Sequence, residues 1–246
     1  MKRNNFMIVG LALAGIMIAM LLVNGSNGND KYKNFNELHQ QEKQDEDYRI
    51  SSEERDPDIA SIAIHGGGIE PGTTDLAEQL AFAGDYSFYS FQGIKASNNT
   101  DLHIDSTNFD EPEAVALVSD SFYTVSFHGY EDELEKHTYL GGLDEALAQS
   151  IEIELKKAGF SVSDAPKEIN GEEKDNIVNQ NRQSKGVQLE ISTAQRMAFF
   201  EEGDFSSGNR DNRTEEFYDY VEAVGRGLSG GEGLVVKMEA SMLQTF

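Results

Sequence analysis

Three short apolar runs constrain this chain more than any other feature. They are IASIAI at Ile59–Ile64, SFYTVSF at Ser121–Phe127 and GVQLEIS at Gly186–Ser192. Each is too short for an ordinary buried helix and rich in β-branched or aromatic residues, which reads as a strand. Between and after them lie stretches with helical signals. Asp75–Gly84 follows Thr73 and Thr74, either of which can cap it, and Glu111–Val118 has Pro112 in its first turn. Gly142–Gly159 places Leu143, Ala146, Leu147, Ile151 and Leu155 on one stripe, and Asn212–Gly225 turns Phe217, Tyr220, Val221 and Val224 inward. Tyr86–Gln92 alternates aromatic and polar residues, as a strand with one buried face does; Leu102–Ile104 and Phe160–Val162 are shorter strand predictions. Strands alternating with helix-length crossovers predict an α/β domain, its sheet mostly parallel or mixed, with helices on both faces.

The 246 residues divide into four parts. Residues 1–28 hold a basic Met1-Lys2-Arg3 followed by an uncharged apolar run, Phe6–Val23, which predicts a signal peptide or a retained signal-anchor. Positive charge ahead of that run places the rest of the chain outside the cytoplasm, either extracellular or on the outer face of the membrane. Residues 29–58 read as a polar linker and lead-in with a short helix near Phe35–Gln44, residues 59–228 as the folded domain, and residues 229–246 as a tail. A net charge of −24 speaks against a nucleic-acid partner, because phosphate binding needs a basic footprint. The chain is expected to work as a monomer.

Cysteine is absent, so any metal must be held by His, Asp and Glu, a ligand set that suits a catalytic zinc better than a structural one. His65 and His128 each follow a strong strand and precede a glycine, and Glu70 lies across the glycine-rich loop HGGGIEPGT. Ligands in open α/β sheets bind beyond the carboxyl ends of the strands, where these three would meet. Each also has an ordinary explanation: a histidine bonded to its loop, a carboxylate at a helix start, a strand end meeting a turn. Glu190 sits within an apolar strand, where alternation puts it on one face with Gln188 and Ser192. That face is either solvent on an edge strand or a cleft.

IAIHGGGIEPGT, LHIDSTNFDEP, SFHGY and NRQSKGVQLEIS, in that order, resemble the bacterial and phage poly-γ-glutamate hydrolase family, from about Tyr32 to Gly227. The resemblance implies a zinc carboxypeptidase-like, three-layer α/β/α sandwich and zinc-dependent cleavage of γ-glutamyl amide bonds. It assigns zinc to His65, Glu70 and His128, and the catalytic carboxylate to Glu190. The polymer is polyanionic, so local cations must offset the acidity of the protein. Arg182 and Arg196, flanking the Glu190 strand, are the predicted substrate-binding residues, since an arginine can hold a carboxylate through two parallel hydrogen bonds. Two other functions fit the same residues: a zinc amidase acting on cell-wall peptide stems, and a non-catalytic surface module that binds polyanions.

Overall fold

The three strongest strand predictions become three neighbours. The computed structural model describes residues 30–230. In it β2 (Asp56–Gly67), β4 (Tyr123–Tyr130) and β7 (Val187–Ser192) lie side by side and parallel. β1 (Tyr48–Glu53) and β3 (Tyr86–Gly93) extend the sheet beyond β2; β5 (Thr138–Gly141) and β6 (Val162–Asp164) extend it beyond β7. The order of the seven strands is β1-β3-β2-β4-β7-β5-β6. β1 runs antiparallel to β3 and β5 antiparallel to β7, so the sheet is mixed.

Helices cover both faces. One face packs against α2 (Thr73–Gly84), α4 (Glu145–Lys157) and α6 (Glu215–Leu228), with Val125, Phe127, Val187, Leu189 and Ile191 turned toward them. The other packs against α1 (Phe35–His39) and α3 (Pro112–Asp120), meeting Ala60, Ile62 and Ile64 of β2. The result is the expected α/β/α layering. Period-two alternation then turns Ser126 and His128 of β4, and Gln188 and Glu190 of β7, to the α1/α3 face.

β2 breaks that alternation, and the site depends on the break. Ser61 bonds the Ala77 carbonyl of α2, and Ala63 packs on the same side. Strict alternation would send His65 there too. The pairing of β2 with β3 instead slips between Ala63 and Gly66, a bulge that places an extra residue in β2. His65 consequently reaches the carbonyl of Ile104, on the α1/α3 face.

Several expectations are corrected. Residues 29–58 hold the expected short helix, α1, but are not a linker from Asp30 onward: they also supply the edge strand β1, and Tyr32, Leu38 and Tyr48 are fully buried. The charges of this stretch hid its core residues, because an edge strand and a short helix keep only a few positions dry. Truncating Leu38 to alanine is expected to cost about 2–5 kcal/mol in urea unfolding, as core truncations do; an exposed linker residue would give a change close to zero. β3 is buried on both faces rather than one: Tyr86 and Phe88 pack on the α2 side, Tyr89 and Phe91 on the other, and the small Ser90 lies under α2, where its hydroxyl bonds that of Thr74. Neither Thr73 nor Thr74 caps α2; the N-cap is Gly72, in a left-handed conformation with φ +96°. Leu102–Ile104 is not a strand but the end of a 3-10 turn, Asn99–Leu102, and the chain after it. α5 (Thr193–Ala198), directly after β7, had no sequence signal as a separate element. The apolar run Phe6–Val23 and residues 231–246 lie outside the described residues. Among the described residues no helix is long and apolar enough to cross a membrane.

Candidate metal centre

His65 and His128 lie within β2 and β4, near their carboxyl ends, rather than just after them. Glu70 comes back to them through a loop that glycine makes possible. A Cβ on Gly66 would stand 2.1 Å from the Thr74 hydroxyl, and Gly67 has φ +66°. The Glu70 amide bonds the His65 carbonyl at 2.8 Å, closing the loop on itself. Glu70 Oε2 accepts from the Gly129 amide at 2.9 Å, fixing the carboxylate against β4.

The three side chains converge. His65 Nδ1 lies 3.1 Å from Glu70 Oε1 and 3.1 Å from His128 Nδ1. Both imidazoles are 2% exposed. Their far nitrogens are engaged: His65 Nε2 faces the Ile104 carbonyl at 2.8 Å and His128 Nε2 the Ser126 hydroxyl at 2.9 Å. A carbonyl only accepts, so Nε2 of His65 carries a proton, and whenever the ring is neutral its Nδ1 turns a lone pair toward Glu70 and His128. Electron-rich atoms meeting in a buried site call for a cation between them. His65, Glu70 and His128 form the metal-ligating group found among the described residues, with candidate ligand atoms all within 4.8 Å of one another.

Charge in the site is divided accordingly. Burial raises the cost of ionising Glu70, but His65 and His128 outweigh it and hold its pKa down to about 2. For His65, burial opposes the imidazolium, yet the charge and hydrogen bond of Glu70 prevail and its pKa is raised. His128 is pushed down to about 3 by burial, with repulsion from His65 added and Glu70 opposing. Two adjacent imidazoles cannot both be charged in so dry a site.

Glu190 is the fourth member. It pairs directly across from His128 in the β4–β7 register and is 7% exposed. Its strand lies between β4 and β5, so the cleft reading holds and the solvent-facing edge reading does not. Burial and the charge of Glu70 raise its pKa well above the carboxylate range, against the pull of Gln188 and Arg196. Gln188 Nε2 donates to Glu190 Oε1 at 2.8 Å and holds the carboxyl in place. A cleft of about 570 Å³ opens over His65, Glu70, His128 and Glu190.

The two arginines stand elsewhere. Arg182 lies at the opposite end of the sheet, where its amide bonds the Ser121 carbonyl just ahead of β4; its guanidinium pairs with Asp58 at 2.7 Å. It does not line the cleft. Arg196 is close to the site but 5% exposed. Its nitrogens donate to the carbonyls of Ile191, Pro71 and Tyr130 and to the Thr193 hydroxyl. The guanidinium therefore fastens the Glu70 loop to the ends of β4 and β7 instead of offering a carboxylate clamp. Sequence adjacency to Glu190 misled in both cases, since flanking a strand places one residue at each of its ends. His103 is a further histidine of the site. It lines the cleft, its ring centroid 3.9 Å from that of His65 with the planes tilted by 33°, and its Nδ1 bonded to Asp30 at 2.8 Å. The supports contributed by Ser126 and the Ile104 carbonyl carried no sequence signal. Gln188 carried one, its place two residues before Glu190.

An α/β/α fold with two histidines and a glutamate converging beside a buried glutamate, at the floor of an open cleft, defines a hydrolase with a metal-ligating set. The family is more specific: residues 32–223 match the model of the poly-γ-glutamate hydrolase family, and the chain belongs to it. It is 40% identical, over 78% of its length and 69% of the relative's, to the SPbeta prophage-derived protein YoqZ of Bacillus subtilis (strain 168). A bacteriophage poly-γ-glutamate hydrolase superposes with a TM-score of 0.80 at 41% identity, covering 82% of this chain and 97% of that one. The zinc-free form of YndL superposes with a TM-score of 0.76 at 36% identity, covering 82% and 99%. The chain is thus a hydrolase of the γ-glutamyl bonds of poly-γ-glutamate.

Proposed function

We propose that this hydrolysis depends on a zinc ion held by His65, Glu70 and His128, with Glu190 as the group that moves the proton. The convergence of His65 Nδ1, His128 Nδ1 and the Glu70 carboxylate carries this reading. The donor set fits: two imidazoles and one carboxylate, no thiolate, and outer nitrogens anchored as metal-binding histidines require. The existence of a zinc-free form of the relative YndL supports zinc as the ion. When bound, such an ion supplies Lewis acidity that polarises an amide carbonyl and brings the pKa of water to about 7.

The protein's own groups do the rest. Glu190, facing the cleft across from His128, takes a proton from the attacking water at a carboxylate oxygen and returns it to the leaving nitrogen. A positive charge beside it offsets the burial and the Glu70 repulsion that raise its pKa, keeping it able to accept. Gln188 fixes which way that carboxyl faces. Arg196 keeps the Glu70 loop in register with the strand ends. The domain is read as acting outside the cytoplasm, supported by the basic residues ahead of Phe6–Val23.

Treating the purified protein with a chelator is expected to stop the shortening of poly-γ-glutamate, and adding zinc back to restore it, with polymer size followed by gel filtration. Shortening that continues unchanged in the stripped protein would sink the metal reading.

A further inference from the structure

Poly-γ-glutamate exposes a free α-carboxylate on every residue, and the cleft that receives it is acidic. Glu70, Asp105, Glu168, Glu173 and Glu190 all contribute to its lining. A polyanion entering there needs a cation held at the right place. Lys167 is the sole lysine or arginine among the described residues that line the cleft. Three other basic residues near the strand ends and loops already have protein partners. Lys185 pairs with Asp144 at 3.0 Å, Arg182 with Asp58, and Arg210 donates to the Gly67 carbonyl at 2.6 Å. The Lys167 ammonium makes no ion pair or hydrogen bond among the described residues, and the residue is exposed.

The segment that carries it is built rather than loose. Before Lys167, the Ala165 amide bonds the Leu140 carbonyl of β5 at 2.8 Å. After it, the Ile169 amide turns back to the Pro166 carbonyl at 3.0 Å, and the Asn170 carbonyl accepts from Gly142 at 2.7 Å. Asn179 Nδ2 holds the Gly171 carbonyl at 2.7 Å. Gln188 joins this segment to the reacting end of the cleft: its Oε1 accepts from Asn176 at 2.9 Å while its Nε2 donates to Glu190. The backbone under Lys167 is therefore in fixed relation to Glu190, while its side chain remains free to extend.

We propose that Lys167 is a substrate-binding residue, its ammonium pairing with an α-carboxylate of the polymer while a neighbouring γ-amide bond lies over Glu190. This specificity element rests on the hydrolase reading above and concerns binding rather than the chemical step. Lysine suits the task as a point charge on a long flexible stem, able to follow a pendant carboxylate whose position shifts along the chain.

The test compares Glu190→Gln protein with the Glu190→Gln, Lys167→Met double variant, titrated calorimetrically with a short γ-linked glutamate oligomer. Binding is expected to weaken about tenfold, the scale of one lost charge-assisted contact. Lys167→Arg is expected to recover most of it, and raising the salt to narrow the gap, as an exposed ion pair demands. In the otherwise unaltered enzyme, Lys167→Met should raise KM by a similar factor, with most of the loss falling on KM. Affinity within twofold of the parent, or a deficit that salt does not narrow, would overturn the proposal. Because binding is read in a variant lacking Glu190, that result is independent of whether the unaltered protein cleaves the polymer.

Discussion

Replacing Glu190 by glutamine is expected to slow the hydrolysis of poly-γ-glutamate about 10²- to 10⁴-fold, the usual contribution of a positioned acid–base group. Glutamine keeps the shape and the hydrogen bond that Gln188 donates to Oε1, and gives up only the ability to take and return a proton. Folding should survive, since an amide costs less to bury at this site than a carboxylate crowded by Glu70. Metal content should also survive, because His65, Glu70 and His128 are unchanged. Turnover in Glu190→Gln within tenfold of the parent enzyme would remove Glu190 from the reaction. A loss of both turnover and metal would instead make Glu190 part of the metal shell. Polymer size, zinc content by mass spectrometry and the far-ultraviolet circular dichroism spectrum separate these outcomes.

The second large effect is expected at His128. His128→Ala should abolish retention of zinc through dialysis, where the parent keeps about one ion per chain. Ser126→Ala should weaken the affinity only about 10–100-fold, as loss of a group orienting a ligand does. The contrast follows from position: His128 turns Nδ1 toward the other ligands and Nε2 toward Ser126. Thermal unfolding supplies a check that needs no activity. A ligand at a hundred times its Kd stabilises the folded state by about 2.7 kcal/mol, so added zinc should raise the Tm of the parent and leave that of His128→Ala in place. An equal zinc-dependent rise in both proteins would refute the assignment of His128.

Much of the site was legible because its residues break local expectation. His65 and His128 end apolar, β-branched or aromatic runs, and Glu190 interrupts one; burial is costly for such groups unless they are paired or bind something. The arginines illustrate the opposite case. Arg182 and Arg196 are equally plausible on the chain, yet one lies at the opposite end of the sheet on Asp58 and the other is consumed by backbone carbonyls. Lys167 sits in a charged stretch, Ala165–Asp175, with nothing local to distinguish it. Its place in the cleft comes from contacts to β5 and β7, which are remote in sequence.

The sequence by itself determined the class of fold, through strands that alternate with helical stretches, and the face of β4 and β7 that carries His128 and Glu190, through period-two alternation. It also determined that any metal would be held by imidazole and carboxylate, since no cysteine exists. Tertiary structure alone decided how His65 joins them. Alternation along β2 would have turned His65 under α2, and only the slip in pairing with β3 between Ala63 and Gly66 brings it to the Ile104 carbonyl and to His128. The register between two strands is set by which side chains both can bury at once, and no single strand contains that information.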